Sequence, residues 1–484
     1  MKQPNILFVF SDQQSFDMLG CAGNPQIKTP NLDALAEQGM RFEHAVSNCP
    51  VCTPYRSMLI TGRHPLYNNC FDNDRRLLTE EEIGPGIGHV LRDAGYRMGY
   101  VGKWHLYGGE RDRPIPAGPD RHGFDDLFLS NNCHVNYHPD HCYYWTEDGE
   151  KVMFNEWETK GQADQALAFL ETVTPDDPFC LFVSWHAPHN HGGGNPGNYW
   201  GFDAPEEFKA LYNEDEIVPR GQLPNTPENR RMTLGYYAMC SEVDHHFGRL
   251  MATLKERGVD DNTLVVFTSD HGETFGAHAA RAHKGNAQDI SVRVPLLMRM
   301  PGKLPEGRVS ELLFGVLDMP STLLGLMDFE VPDNWQGKNL APAILAGDDD
   351  AVDNVPIFNF KPSWRGVYTK RHTFSIENIE RTRDITSRFG SDLPDRRKHT
   401  QNHNVLYDRE TDPLQVNNLV NSTEHIPLLL ELTEKTHDWL DVFNDPFLSY
   451  KRLMEVVGEQ EMPPPIERIT SGADREDDRD NINA

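Results

Sequence analysis

Short apolar runs alternate with longer amphipathic stretches through the first two-thirds of the chain, and this alternation restricts the fold more than any other feature. The predicted strands are residues 6–10, 98–101, 179–185, 264–268 and 295–300. The predicted helices are residues 31–38, 87–94, 162–172, 229–257 and 314–327. Apolar strands separated by helices are typical of a parallel sheet covered on both faces. The sequence therefore predicts an α/β fold with a large mixed, mostly parallel sheet sandwiched by helices.

A change in composition at residues 347–350 indicates a domain boundary. Beyond it the strand-like runs are shorter, at 355–360, 366–376 and 404–407, and a helix is predicted over 426–440. We expect a catalytic domain over residues 1–350 and a smaller C-terminal α+β subdomain with an antiparallel sheet over 351–462. Residues 463–484, which open with three prolines, are predicted to form an extended tail. That tail is either disordered or wrapped around a partner subunit of a homo-oligomer.

The charge and cysteine content narrow the class of protein. The formal net charge of -28 argues against nucleic acid as a partner, because phosphate contacts need a basic surface. The eight cysteines are irregularly spaced, which favours a reducing compartment over a disulfide framework. No apolar run approaches the length of a membrane span, and residues 6–10 are too short for the core of a signal peptide. We therefore expect no membrane association and a cytoplasmic address, unless a leader precedes this chain.

Two polar pairs follow predicted strands at the sheet edge where ligands of parallel sheets gather. Asp12 and Gln13 follow the first strand, and Asp270 and His271 follow the fourth. Together they could hold one divalent cation: oxygen ligands favour Ca²⁺ or Mg²⁺, and the imidazole leaves room for Mn²⁺ or Zn²⁺. The alternative is structural, with Asp12 capping a helix and Asp270 starting a turn.

Cys52 belongs to two overlapping patterns. With Cys49 it forms C-x-x-C, which occurs in redox proteins and in zinc sites. The sequence has no second C-x-x-C pair that would complete a zinc site. A redox protein would form a reversible disulfide between Cys49 and Cys52. With Pro54 and Arg56 it forms C-x-P-x-R.

Six segments, in order along nearly the whole chain, resemble those of type I sulfatases, the formylglycine-dependent enzymes of the alkaline phosphatase superfamily. They are residues 5–12, 52–57, 61–63, 102–106, 268–273 and 406–419. The resemblance implies an alkaline-phosphatase-like fold and hydrolysis of a sulfate ester, for which we expect a small sulfated saccharide. It also implies that a formylglycine-generating maturation enzyme oxidises Cys52 to an aldehyde, whose hydrate attacks sulfur.

The resemblance assigns a role to each residue that matches it. The implied metal ligands are Asp12, Gln13, Cys52, Asp270 and His271. Arg56 orients the hydrate and Lys103 binds sulfate oxygens, while His105 takes a proton from the remaining hydroxyl so that sulfate is released. His186 is the candidate acid for the leaving alcohol, and Lys284 is expected beside the sulfate. Our hypotheses for the substrate pocket are Asn73, His134, His189 and Arg365.

Two departures from the common sulfatase pattern keep other functions open. Gln13 stands where many sulfatases have an aspartate, and His271 where an asparagine is common. This pairing is also similar to phosphonate monoester hydrolases and to choline-sulfatase-like enzymes, and the loss of a carboxylate brings Mn²⁺ into consideration beside Ca²⁺. Further alternatives are a phosphodiesterase of the same superfamily and a protein that binds anionic sugars without turnover. We expect substrate specificity in the loops 131–145 and 189–200, and the insertion at 192–200 resembles glycan sulfatases.

Overall fold

A computed structural model describes residues 3–134, 136–146, 148–191, 201–221, 223–279, 283–378 and 403–458. Its strands are β1 (Asn5–Ser11), β2 (Met40–Val46), β3 (Arg97–Lys103), β4 (Leu127–Asn131), β5 (Tyr143–Trp145), β6 (Lys151–Met153), β7 (Phe179–Ser184), β8 (Thr263–Ser269), β9 (Leu296–Arg299), β10 (Arg308–Gly315), β11 (Val355–Phe360), β12 (Ser363–Tyr368), β13 (His372–Glu377) and β14 (Val405–Asp408). Its α-helices are α1 (Pro30–Glu37), α2 (Cys52–Thr61), α3 (Pro65–Asn68), α4 (Glu80–Ile83), α5 (Ile87–Asp93), α6 (Glu158–Glu171), α7 (Glu206–Lys209), α8 (Pro227–Glu256), α9 (Asp289–Val292), α10 (Met319–Leu326), α11 (Ala341–Ala346), α12 (Ile426–Phe443) and α13 (Tyr450–Val457).

The first ten strands form one sheet, in the order β10-β2-β9-β8-β1-β7-β3-β4-β5-β6. Its centre is parallel: β1 pairs with β7 and β8, and β3 pairs with β7 and β4. The strand β9 runs antiparallel to both of its neighbours, β2 and β8. The β4–β5 and β5–β6 pairs are also antiparallel. Every residue of β1 is buried, as expected for a strand with helices on both faces. The predicted mixed, mostly parallel sheet is confirmed.

The C-terminal part has the predicted antiparallel sheet, in the order β11-β12-β13-β14. The helix α12 covers it, and Leu432 packs with Val367, Phe374 and Leu406. The single run predicted over 366–376 forms two strands with a turn between them. The boundary at residue 350 remains a prediction, and the predicted tail at 463–484 and the insertion at 192–200 lie outside the described residues.

One predicted helix begins too early. Residues 314–327 were expected to be helical, but Phe314 lies in β10, where it pairs with Ala45 of β2. The helix α10 begins only at Met319. The apolar strand end and the apolar helix follow each other without a polar break, so their periodicities merge in the sequence. The pattern also missed β2, β10, the outer strands β4 to β6, and the helix α2.

The central strands bring distant residues to one edge of the sheet. Because β1, β3, β7 and β8 are neighbours and parallel, their carboxyl ends meet at the same edge of the sheet. These strands end at Ser11, Lys103, Ser184 and Ser269. The helix α2, all ten residues of which are buried, begins at Cys52 and packs against this core. Among the described residues, no helix is long and apolar enough to cross a membrane.

Candidate active site

Cys52 lies at the centre of a buried polar cluster. Its Sγ atom is 2.9 Å from Lys284 Nζ, 3.4 Å from Lys103 Nζ and 3.3 Å from His271 Nε2. The side chain is 1% exposed. Burial and the Asp12 carboxylate oppose ionisation of the thiol, but Lys103, Lys284 and His271 together hold its pKa well below the ordinary value. The position therefore favours a negatively charged or strongly polar group.

Four of the five predicted metal ligands lie around one point. One donor atom each from Asp12, Cys52, Asp270 and His271 falls within 4.8 Å of the others, and all four residues are buried. His271 Nε2 lies 3.4 Å from Asp12 Oδ1 and 3.4 Å from Asp270 Oδ1. This arrangement of hard oxygens with one imidazole matches the chemistry of a divalent cation site.

The fifth predicted ligand, Gln13, contacts the cluster through its backbone and has a side-chain carbonyl without a hydrogen-bond partner among the described residues. Its backbone N–H donates to Asp270 Oδ1 over 3.1 Å, and its φ of 71° is unusual for a residue other than glycine. Its side-chain Oε1 is buried and has no hydrogen-bond partner among the described residues. A buried carbonyl oxygen without a donor is costly, and a cation would satisfy it.

The two carboxylates show the same need for positive charge. Burial and the neighbouring Asp12 raise the pKa of Asp270 to about 6. The pKa of Asp12 is held well below its usual range despite burial, since Lys103, His189 and Lys284 surround it. A divalent cation between these carboxylates would relieve their repulsion, so the residues present fit such an ion.

Arg56 ties the carboxylates to the sheet. Its Nη2 lies 3.2 Å from Asp12 Oδ2 and 3.1 Å from Asp270 Oδ2, and its Nη1 donates to the Lys103 carbonyl and to Ser184 Oγ. The guanidinium is 1% exposed and remains charged, because the carboxylates raise its pKa against the effect of burial. Arg56 therefore places both aspartates in one orientation.

Lys103 and Lys284 reach Cys52 from separate parts of the chain. Lys103 Nζ is 2.6 Å from Asp12 Oδ2, and the side chain is 1% exposed. Lys284 Nζ contacts both Cys52 Sγ, at 2.9 Å, and His189 Nε2, at 3.0 Å. Two ammonium groups beside Cys52 place positive charge at the cluster within a protein whose net charge is acidic, which suits an anion.

Of the two histidines after β7, His189 is the one linked to Cys52. The Lys284 ammonium stands between them, and His189 Nδ1 is 2.7 Å from the Asn190 carbonyl. Burial and the Lys284 charge hold the pKa of His189 well below its usual value. His186 is instead fully buried, and its Nδ1 lies 2.9 Å from Glu158 Oε1.

His105 faces a carboxylate and a second thiol. Its Nε2 lies 3.1 Å from Asp74 Oδ1, and its φ is 55°. Burial alone would lower the pKa of His105, but Cys133 and Asp74 raise it to about 10. Burial likewise opposes ionisation of Cys133, yet His105 and Lys103 lower the pKa of its thiol to about 7. Asp74 was not predicted as part of the site, and Cys133 was included only through the loop 131–145, in which we expect substrate specificity.

The predicted pocket residues other than His189 have different surroundings. Asn73 Oδ1 accepts from the Thr53 backbone N–H over 3.1 Å, at the first turn of the nucleophile helix. The His134 ring stacks on Tyr143 with 4.7 Å between the centroids. Arg365 is buried and forms a two-pronged ion pair with Asp445. Asn73 therefore lies beside the residue that follows Cys52, whereas the contacts described for His134 and Arg365 are with other parts of the chain. The role of all three in substrate binding remains a prediction.

Comparisons with known proteins agree with this geometry. The family model described as sulfatase matches residues 4–329, and the model for the C-terminal part of N-sulphoglucosamine sulphohydrolase matches residues 283–440. The chain is similar to an ulvan-active sulfatase of Formosa agariphila, with 31% identity over 92% of this chain and 83% of the relative. An endo-4-O-sulfatase of Bacteroides thetaiotaomicron is 27% identical over 94% of this chain and 95% of the relative. A solved structure from work on glycosaminoglycan metabolism by Bacteroides thetaiotaomicron has a TM-score of 0.76 and 25% identity, and the match covers 94% of this chain and 99% of that one.

Proposed function

Belonging to the sulfatase family of the alkaline phosphatase superfamily, the chain is a sulfuric ester hydrolase, and we propose that it cleaves the sulfate ester of a small sulfated saccharide at Cys52. The observation that carries this proposal is the position of Cys52 Sγ. It lies within 3.4 Å of two ammonium groups and of the imidazole of a carboxylate-rich cluster. A sulfate group entering this pocket meets positive charge at the reacting centre.

The nucleophile is proposed to be the hydrate of formylglycine, which a maturation enzyme makes from Cys52. One hydroxyl of this hydrate attacks sulfur, and the second serves in the release of sulfate. The Cys52 Sγ atom marks the place of these hydroxyls. His105 belongs to this half of the reaction as the base for the second hydroxyl. The contact with Asp74 fixes the ring, and this carboxylate, which contributes to the raised pKa of His105, stabilises the imidazolium formed when the ring takes the proton.

The site would hold a divalent cation, for which we propose Ca²⁺, with Mn²⁺ or Mg²⁺ as alternatives. Its ligands would be Asp12, Gln13, Asp270, His271 and residue 52. The cation would supply positive charge to the nucleophile and to a sulfate oxygen. Arg56 keeps the two aspartates oriented toward that position. Lys103 and Lys284 bind the remaining sulfate oxygens. Charges already placed where negative charge develops lower the barrier without reorganisation.

The leaving alcohol needs a proton, and we assign its donor to His189 rather than to His186. The ring of His189 lies beside Lys284, which contacts Cys52. His186 is fully buried, and its Nδ1 faces Glu158. Burial holds the pKa of both histidines well below the usual value, so the choice between them depends on position. A group that must protonate a departing oxygen has to reach it, which favours His189.

The saccharide assignment rests on the names of the relatives, which are active on ulvan or act as endo-4-O-sulfatases. All eight cysteines are unpaired, and we propose a reducing compartment, the cytoplasm, for the reaction. A compartment of this kind suits a small imported sulfate ester better than an intact polymer. Expression of the tagged chain followed by fractionation tests this address, and recovery outside the cytoplasm would contradict it.

The experiment uses enzyme coexpressed with a formylglycine-generating system. Rates are measured on an aryl sulfate and on the matching aryl phosphonate, followed by a desulfation screen of small sulfated saccharides and choline sulfate. We expect kcat/KM to favour the sulfate, and a saccharide to exceed choline sulfate. A larger kcat/KM on the phosphonate would replace the sulfatase assignment with that of a phosphonate monoester hydrolase.

A further inference from the structure

The side chain of Gln13 is held by a hydrogen-bond network with Glu273 and Asn190. Its Nε2 lies 2.5 Å from Glu273 Oε2 and 3.0 Å from Asn190 Oδ1. The backbone is fixed as well, because the Gln13 N–H donates to Asp270 and the Gln13 carbonyl accepts from the Tyr236 hydroxyl. Gln13 and Glu273 are both 0% exposed.

The direction of the amide follows from the donors that converge on Glu273. The backbone N–H of Phe275, which can only donate, lies 2.6 Å from Glu273 Oε1. His283 Nδ1 lies 2.9 Å from each of the carboxylate oxygens. Glu273 is therefore the acceptor, and the group of Gln13 that faces it has to be the NH₂ group.

Asn190 extends the same polarity. When His283 Nδ1 donates to Glu273, its Nε2 accepts, and Asn190 Nδ2 lies 3.2 Å from that atom. The amide of Asn190 consequently turns its Oδ1 toward Gln13 Nε2. Both hydrogens of the Gln13 amide are then used, and Gln13 Oε1, which has no partner among the described residues, is left on the opposite side.

We propose that Glu273, assisted by Asn190, is a positioning residue that orients the Gln13 amide so that its oxygen faces the cation. This inference rests on the proposed cation site. The amide of a glutamine has an NH₂ group and an oxygen of similar size, so it can be placed in either of two orientations. In one of them the oxygen faces the cation, and in the other the NH₂ group does. An aspartate has no such ambiguity. The network is thus what makes a neutral amide serviceable where many members of the family have a carboxylate.

The test is Ca²⁺ affinity, measured by calorimetric titration of the full-length protein after chelator treatment. In Glu273→Gln the new amide no longer dictates the orientation of Gln13, and we expect Ca²⁺ to bind 10- to 100-fold more weakly, the usual loss for a partner behind a metal ligand. Glu242→Gln is the matched control, since Glu242 is also a buried glutamate but is not among the partners of Gln13. It is expected to leave Ca²⁺ affinity within about twofold of wild type.

A swapped pair separates positioning from a general structural role. In the double variant Gln13→Glu with Glu273→Gln, the amide donates to the carboxylate in the reverse direction, and the second carboxylate oxygen faces the cation. We expect Ca²⁺ affinity to return to within about threefold of wild type or to exceed it. The swap does not restore the carboxylate that His283 faces, so its recovery isolates the contact with Gln13.

The outcomes are distinct. Wild-type affinity in Glu273→Gln, or a swapped pair as weak as that single variant, overturns the inference. Absence of binding of Ca²⁺, Mn²⁺ and Mg²⁺ alike in the wild type overturns the cation site itself. Should Glu273→Gln fail to fold, as judged by its thermal transition, Asn190→Ala removes the other acceptor. Its Ca²⁺ affinity is expected to fall at least threefold, and an unchanged affinity refutes the network.

Discussion

Replacement of His189 by alanine distinguishes the two candidates for the leaving-group acid. His189 Nε2 lies 3.0 Å from the Lys284 ammonium, which lies 2.9 Å from Cys52 Sγ. His189→Ala removes the whole ring, so no proton donor remains on that side of the nucleophile. His186 stays in place in this variant, bound to Glu158.

The size of the loss depends on the substrate. A positioned acid contributes about 10²- to 10⁴-fold, which corresponds to roughly 2.7–5.4 kcal/mol of barrier. This full loss is expected for a saccharide sulfate, whose alkoxide leaves poorly without a proton. For 4-nitrophenyl sulfate, whose phenolate leaves unprotonated, we expect a loss of at most about tenfold, or ~1.4 kcal/mol, from disturbed packing.

The assay compares kcat/KM of the wild type and of His189→Ala on both substrates at one pH. His186→Asn is measured in parallel, because an asparagine amide can keep the hydrogen bond toward Glu158. We expect it to lower both rates by a similar factor. Equal losses on the two substrates for His189→Ala, or a selective loss on the saccharide for His186→Asn, would refute the assignment of His189.

Three further predictions follow from the same contacts. Lys284→Met removes a positive charge that lowers the pKa of His189, so we expect that pKa to rise. Because the acid form of His189 then persists to higher pH, the falling limb of the kcat/KM profile is expected to shift to higher pH. A limb that does not move contradicts this prediction. Cys52→Ala abolishes turnover with little change in thermal transition, while mass spectrometry shows the aldehyde in wild-type protein; retained turnover rejects the nucleophile. Arg365→Ala leaves Asp445 buried without its ion pair, so we expect the free energy of unfolding to fall by about 3–5 kcal/mol. At temperatures where the variant is folded, KM is expected to be unchanged. A raised KM with unchanged stability would instead place Arg365 in the substrate pocket.

The central strands were predictable because each contains a short, almost entirely buried apolar run and is followed by polar residues. The strands β2 and β10 were not. In β2 the buried positions are interrupted by the partly exposed Arg41, Glu43 and His44, and β10 merges with the apolar helix α10. Local periodicity carries no signal that separates such elements.

The candidate site divides in a similar way. Some site residues stand in short runs that the sequence analysis had singled out. They are the four predicted ligands that lie around one point, Arg56 and the two lysines. Asp74, Cys133, Asn190 and Glu273 act through contacts with residues far away in the chain. Glu273 stands three residues after Asp270, yet nothing in that run indicates that its carboxylate faces Gln13, 260 residues away.

By itself the sequence determined which side chains reach the catalytic edge, because parallel strands that run through a core all end on the same side. Only the tertiary structure decided which histidine stands beside Lys284, which carboxylate pairs with Arg365, and which end of the Gln13 amide faces Glu273. These choices depend on the order of β3, β7, β1 and β8 in the sheet and on the loops that follow them. An amide in particular can present either end, and its orientation is set by the donors and acceptors that folding brings to it.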